Sequence, residues 1–210
     1  MYLVTLKSQT LYFVRLPQFL KQISPKNITW CKPNTNYSVY LTFDDGPHPE
    51  ITPWILSELK NHDAKATFFC LGENALKYPF LIKNILDDGH TIGNHGYLHL
   101  KASWFNTKEY LHNFEKGKAV LKDVSGKDIN YFRPPYGAFY LQTPAQIILW
   151  TLMPGDFDTR QTKEKCLSNL LKCQSGDIIV LHDNEKSFPH LKYSLPLFLE
   201  QNTAFNFQAL

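Results

Sequence analysis

From Asn36 to the C-terminus, short apolar runs alternate with longer segments of helical period. This pattern constrains the fold most tightly, because strands joined by helical crossovers run parallel in one sheet. YSVYLTF, ATFFCLG, TIG, NYFR, QIILWTLM, DIIVL and AFNFQ read as strands. They are short, rich in β-branched and aromatic residues, and bounded by turn residues. TPWILSELKNH, YPFLIKNILDDGH, KEYLHNFEKGKAVLKDV, KEKCLSNLLKC and HLKYSLPLFLEQN read as helices between them. Pro53 sits near the first turn of one, Pro79 starts the next, and Gly89 stops it. Thr107 and Thr162 are placed to cap two more. About seven strands exceed a small flavodoxin-like sheet and suit an α/β barrel, complete or not.

The 210 residues are enough for one sizeable core. We divide them into an N-terminal helical or irregular segment, 1–36, that packs on the domain, and the α/β domain itself, 37–210. The apolar N-terminus is interrupted by Lys7, Gln9, Arg15 and Pro17. It has neither the compact apolar core of a signal peptide nor the length of a bilayer span. Peripheral contact with a membrane surface is the second reading of this segment. Net charge is +3 with no basic run, so no nucleic-acid footprint is expected. Cys31, Cys70, Cys166 and Cys173 show no C-x2-C spacing, and no disulfide framework is expected. A reducing, cytoplasmic compartment is the default. Oligomeric state is not legible.

The polar residues with chemical potential all follow strands. Asp44 and Asp45 follow the first, His95 and His99 the third, and Arg133 the fourth. Asp156 follows the fifth, and His182 the sixth. In a barrel those strand ends share one rim. Taken singly, each has a plain structural explanation. Asp-Asp-Gly-Pro is commonly a turn, and one i, i+4 histidine pair among eight histidines arises by chance. Arg133 before Pro134 and Pro135 reads equally as an ion pair capping the core. Two histidines and a carboxylate nevertheless form a three-ligand set that leaves metal positions open. Coincidence does not account for five such placements.

TFDDGP, HGYLH, RPPYG, GDF and VLHD, in that order, resemble the motifs of the polysaccharide deacetylases (carbohydrate esterase family 4, the NodB-homology domain). The resemblance runs from about Tyr37 to Asp183 and makes 37–210 a catalytic domain. It implies a distorted (β/α) barrel, TIM-like and often seven-stranded. It implies a hydrolase that removes N-acetyl groups from N-acetylglucosamine-type poly- or oligosaccharides such as peptidoglycan or chitin. One divalent metal would sit on Asp45, His95 and His99. Zinc is the default, and cobalt, nickel, manganese or iron are compatible. Asp44 corresponds to the base, Arg133 to the residue orienting it, and His182 to the acid. Asp156 corresponds to the carboxylate on that acid, and the Tyr136 backbone N–H to the oxyanion donor. Pro134, Tyr136, Phe157 and Val180 correspond to the substrate wall.

Four departures are visible. Gly96 stands where a Ser or Thr usually steadies the metal loop, and Phe157 replaces a Trp. Val180 replaces a Leu, and the segment after Gly137 is short. Asp158 rivals Asp156 as the carboxylate on the acid. The alternative functions are O-acetyl ester or other carbon–nitrogen hydrolysis on the same fold, and a weakly active or inactive glycan-binding module. An iron oxygenase would share the ligand set but not the α/β pattern. A polymer substrate would suit the cell envelope, which stands as the alternative to the default compartment.

Overall fold

The computed structural model of the chain describes residues 12–16, 25–33, 36–140 and 142–210. Eight strands form the sheet: β1 (Ile28–Thr29), β2 (Ser38–Asp44), β3 (Ala66–Cys70), β4 (Thr91–Asn94), β5 (Tyr131–Phe132), β6 (Gln146–Ile148), β7 (Ile178–His182) and β8 (Asn206–Phe207). Their order is β1-β6-β5-β4-β3-β2-β7, with β8 beside β2. All the strand pairs are parallel. Past β6, Leu152 makes a parallel bridge to Ile179 of β7. The sheet therefore curls back on itself as a distorted barrel, as expected.

Every residue of β2 and β3 is buried, as in strands covered on both faces. The outer layer of helices comprises α1 (Ile51–Asn61), α2 (Gly72–Lys77), α3 (Pro79–Asp87), α4 (Thr107–Ser125), α5 (Lys163–Leu170) and α6 (Phe188–Gln201). Ile55, Leu59, Ile82, Ile85, Leu195 and Phe198 from α1, α3 and α6 pack on Val39, Leu41, Phe68 and Leu181 of the sheet. Tyr110 and Phe114 of α4 pack on Phe132, Ile147 and Leu149 in a second cluster. Each fully buried Leu, Ile or Phe contributes about 1.5–3 kcal/mol over its exposed form, so this core is the main driving force of the fold.

Several local expectations are corrected. Ile28–Thr29, inside the segment read as helical or irregular, forms β1 and pairs with β6. The helical reading of that segment falls largely on residues 1–11 and 17–24, outside the described residues. The strand expected over 146–153 ends at Ile148. The Ile148 and Leu149 carbonyls there accept from the Arg133 guanidinium at 3.1 Å each instead of continuing a ladder. Gly72 opens α2 rather than ending β3. Asn106, not Thr107, occupies the N-cap of α4. Thr162 caps α5 as expected, its hydroxyl accepting from Lys165 N–H at 3.2 Å. Cys173 lies beyond the end of α5, and all four cysteines are free. Among the described residues between β5 and β6 there is no α-helix. Among the described residues, no helix is long and apolar enough to cross a membrane.

Candidate active site

The strand ends converge. β2 ends at Asp44, with Asp45 next; β4 ends just before His95; β5 ends just before Arg133; β7 ends at His182. Asp44, Asp45, His95, His99, Tyr136 and His182 line one cleft of about 490 Å³.

Asp45 Oδ1 lies 3.4 Å from His95 Nε2 and 3.3 Å from His99 Nε2. The ligand atoms of all three residues fall within 4.8 Å of one another. His95 Nδ1 is 2.7 Å from the Arg133 carbonyl, which can only accept. Nδ1 therefore carries a proton, and Nε2 is free to offer its lone pair to the cleft. Asp45 Oδ1 and His95 Nε2 are both buried without a hydrogen-bond partner. Two orphaned acceptors facing each other are costly unless a cation lies between them. The donor set thus fits a divalent ion. Burial, then the neighbouring His95, lowers the pKa of His99 and keeps it neutral, the ligating form. Burial opposes ionisation of Asp45, but the positive charge of His182 favours it, and the carboxyl lies well below the usual carboxylate range.

Asp45 itself adopts φ +83°, unusual for a residue with a side chain. Two asparagines that sequence reasoning missed hold it there. Asn184 Nδ2 donates to Asp45 Oδ2 at 2.6 Å, and Asn74 Nδ2 donates to its carbonyl at 2.8 Å. Asn184 lies two residues past His182, a proximity that was the available signal.

Asp44 is buried and receives Arg133 Nη1 at 2.8 Å. Arg133 is 0 % exposed, and Nη1 also reaches Thr42 Oγ1 at 2.5 Å. Its guanidinium carbon stands 4.2 Å over the Phe69 ring. Asp44 is therefore held in one orientation by a charge that makes three further hydrogen bonds.

His182 Nδ1 lies 3.1 Å from Asp156 Oδ1, while His182 N–H donates to Asp156 Oδ2 at 2.8 Å. Asp156 is fully buried, whereas the rival Asp158 pairs with Arg160 at the surface. Asp156 is the carboxylate on His182. Burial works against the imidazolium, but Asp156 foremost, then Asp45 and Asp44, overcome it and raise the His182 pKa to about 9.

Pro134, Tyr136, Phe157 and Val180 all line the cleft. Tyr136 has φ +60°, is 65 % exposed, and its ring lies 4.6 Å from that of His99. Phe157 stands edge-on to His182 at 5.4 Å. Tyr12, Lys101, Trp150, Met153 and Lys186, none of them singled out by sequence, complete the lining.

The metal loop does not depend on a hydroxyl at Gly96. Asn94 Oδ1 accepts from Gly96 N–H at 2.8 Å, and Asn113 of α4 bonds both the N–H and the carbonyl of Leu98. Gly96 has φ +90°, and a Cβ there would lie 2.6 Å from Asn113 Nδ2. The asparagines replace the bond that the departure removes.

Below the loop, Asp183 is buried, and its Oδ2 accepts from Thr52 Oγ1 at 2.7 Å. Burial, largely unrelieved, raises its pKa to about 8. A Cβ on Gly46 would fall 1.9 Å from that carboxyl, so the two-aspartate turn is seated directly on it.

The chain is 35% identical over 179 residues to a peptidoglycan-N-acetylglucosamine deacetylase of Bacillus cereus, covering 80% of this chain and 84% of the relative. Another relative of that name from Bacillus cereus is 48% identical over 105 residues, 50% of this chain. The chain spans 38% of the length of this second relative and 34% of a similar Listeria monocytogenes protein. The peptidoglycan deacetylase PdaC of Bacillus subtilis superposes with a TM-score of 0.76 at 27% identity, over 84% of this chain and 89% of that one. The polysaccharide deacetylase family matches over residues 32–148, and with these likenesses it follows that the chain belongs to that family.

Proposed function

We propose that this protein hydrolyses the N-acetyl group of N-acetylglucosamine-type sugars in a poly- or oligosaccharide, releasing acetate and a free amine. One observation carries the reading: the orphaned acceptors of Asp45 and His95 lie in one cleft with a locked carboxylate, Asp44, and a carboxylate-paired imidazole, His182. Relatives bear the names peptidoglycan N-acetylglucosamine deacetylase and chitooligosaccharide deacetylase.

Asp45, His95 and His99 would hold a divalent ion, zinc by the chemistry of two imidazoles and a carboxylate, with cobalt, nickel, manganese and iron as competitors. When bound, such an ion would supply Lewis acidity to an acyl carbonyl and would lower the pKa of a bound water from about 15.7 toward 7. Asp44, aimed by Arg133, accepts the proton of the attacking water. The N–H of Tyr136 donates to the developing oxyanion. His182, kept protonated by Asp156, passes its proton to the departing nitrogen. That last group favours an amide over an ester, because an amine leaves only after protonation and an alcohol is less demanding. Pro134, Phe157 and Val180 form the wall against which the acetyl group and its sugar rest.

The test is acetate release from N-acetylglucosamine oligomers by metal-stripped protein with zinc or cobalt restored, beside Asp44→Asn and His95→Ala. Metal-dependent release lost in both variants is expected. A bound ion with no release from any N-acetylated glycan would overturn the assignment.

A further inference from the structure

Trp104 and Phe105 are consecutive and 95 % and 98 % exposed. Single exposed apolar residues are ordinary, but two adjacent large aromatics in full contact with water call for an occupant. Their loop is not loose. Asn106 Oδ1 accepts from Ser103 N–H at 2.8 Å, and Asn106 Nδ2 donates to the Lys101 carbonyl at 2.9 Å. Tyr140 Oη lies within hydrogen-bond reach of the Ser103 carbonyl and of Asn106 Oδ1, and its one proton can go to either. The backbone is braced, and the two rings are presented outward by it.

The loop also joins the catalytic cleft. Lys101 lines that cleft, and its ammonium stands 5.7 Å over the Tyr136 ring. Trp104 is three positions past Lys101, a reach of at most about 10 Å. Tyr140, which braces the loop, lies four residues past Tyr136. Trp104 and Phe105 thus stand on one short loop whose other end, Lys101, borders the cleft.

We propose that Trp104 and Phe105 form a distal platform for a glycan chain whose reacting sugar sits in the cleft. The proposal rests on the deacetylase reading and extends it to long substrates. A pyranose ring offers apolar C–H faces and polar edges. The shallow groove here pairs two aromatic rings with Asn106, Thr107, Lys108 and Glu109, matching both. A lipid surface is matched less well, because Lys108 and Glu109 offset each other's charge and the polar lining has no use for acyl chains.

The experiment compares the metal-loaded full chain with Trp104→Ala, Phe105→Ala and the double variant. The substrates are the dimer and hexamer of N-acetylglucosamine. Expected is a fall of about tenfold in hexamer kcat/KM, carried by KM, with the dimer unchanged. Equal losses on both lengths, or none on either, overturn the platform. So does a variant that leaves hexamer turnover intact but loses sedimentation with anionic phospholipid vesicles or self-association. Should the wild type cleave neither oligomer, the deacetylase reading fails separately. Direct hexamer binding then decides the platform: weakening in the variants supports it, and unchanged binding overturns it.

Discussion

Arg133 and Lys101 serve the same cleft under opposite conditions. Arg133 has no exposed surface and spends its donors on Asp44, Thr42 and two backbone carbonyls. Lys101 is exposed, with its ammonium over the face of Tyr136. In the floor the dielectric is low, so a charge is strong if satisfied and costly if not. At the rim water screens each charge, and a single one contributes little to stability. The contrast separates two tasks. The floor holds reacting groups in place before substrate arrives, and the rim is free to be chosen for what it touches.

The largest effects belong to the floor. Chelation of the ion is expected to abolish acetate release while leaving the far-ultraviolet circular dichroism unchanged, and zinc should restore activity. Asp44→Asn should lower kcat by about 10²–10⁴-fold. If either loss is minor, the floor is not the reacting centre.

Arg133→Met removes one partner of a buried pair and should cost about 3–5 kcal/mol in urea unfolding. Lys101→Met should stay within about 0.5 kcal/mol. Equal costs would erase the distinction between floor and rim.

Asn113→Ala should weaken metal affinity about 10–100-fold, read by competition with a chromogenic chelator, because the loop bearing both histidines loses its brace. Gly96→Ser should not compensate, since the left-handed backbone there disfavours a side chain.

The smallest effect is a displaced pH limb. The raised pKa of His182 means that its pairing with Asp156 stabilises the fold fully below about 6.5, and that this contribution is lost as pH rises through about 9. An ion on Asp45 opposes the imidazolium, so the alkaline limb of kcat/KM should lie below 9. Asp156→Asn should move it lower still, in a pH–rate profile and in the imidazole NMR titration. An unmoved limb would detach Asp156 from the acid.

The elements that sequence predicted well are those whose signal is local. β2, β3, β7 and the amphipathic α1 and α4 carry their period within a single stretch, and Asp44, Asp45, His95, His99, Arg133 and His182 stand at strand ends. What escaped is settled by distant partners. β1 is two residues long, too short for any period, and exists through β6. The truncation of β6 is decided by Arg133, upstream across a loop. Asn74 and Asn184 became identifiable only when Asp45 was placed between them. The Gly96 departure looked like a loss because Asn113, which offsets it, is remote in sequence.

Three glycines meet beside the metal loop. Gly72 N–H donates to the Gly96 carbonyl at 2.9 Å. A Cβ on Gly117 would lie 2.4 Å from the Gly96 carbonyl carbon, and one on Gly72 would lie 3.1 Å from the Gly117 Cα. Main chain rests on main chain there, with the Tyr97 ring and the Asn94 amide packed against the same contact. Rotation or sliding of α4 is therefore transmitted directly to the segment carrying His95 and His99. Filling the site with an ion should slow amide exchange along α4 as well as at the ligands, making a surface helix a remote gauge of occupancy.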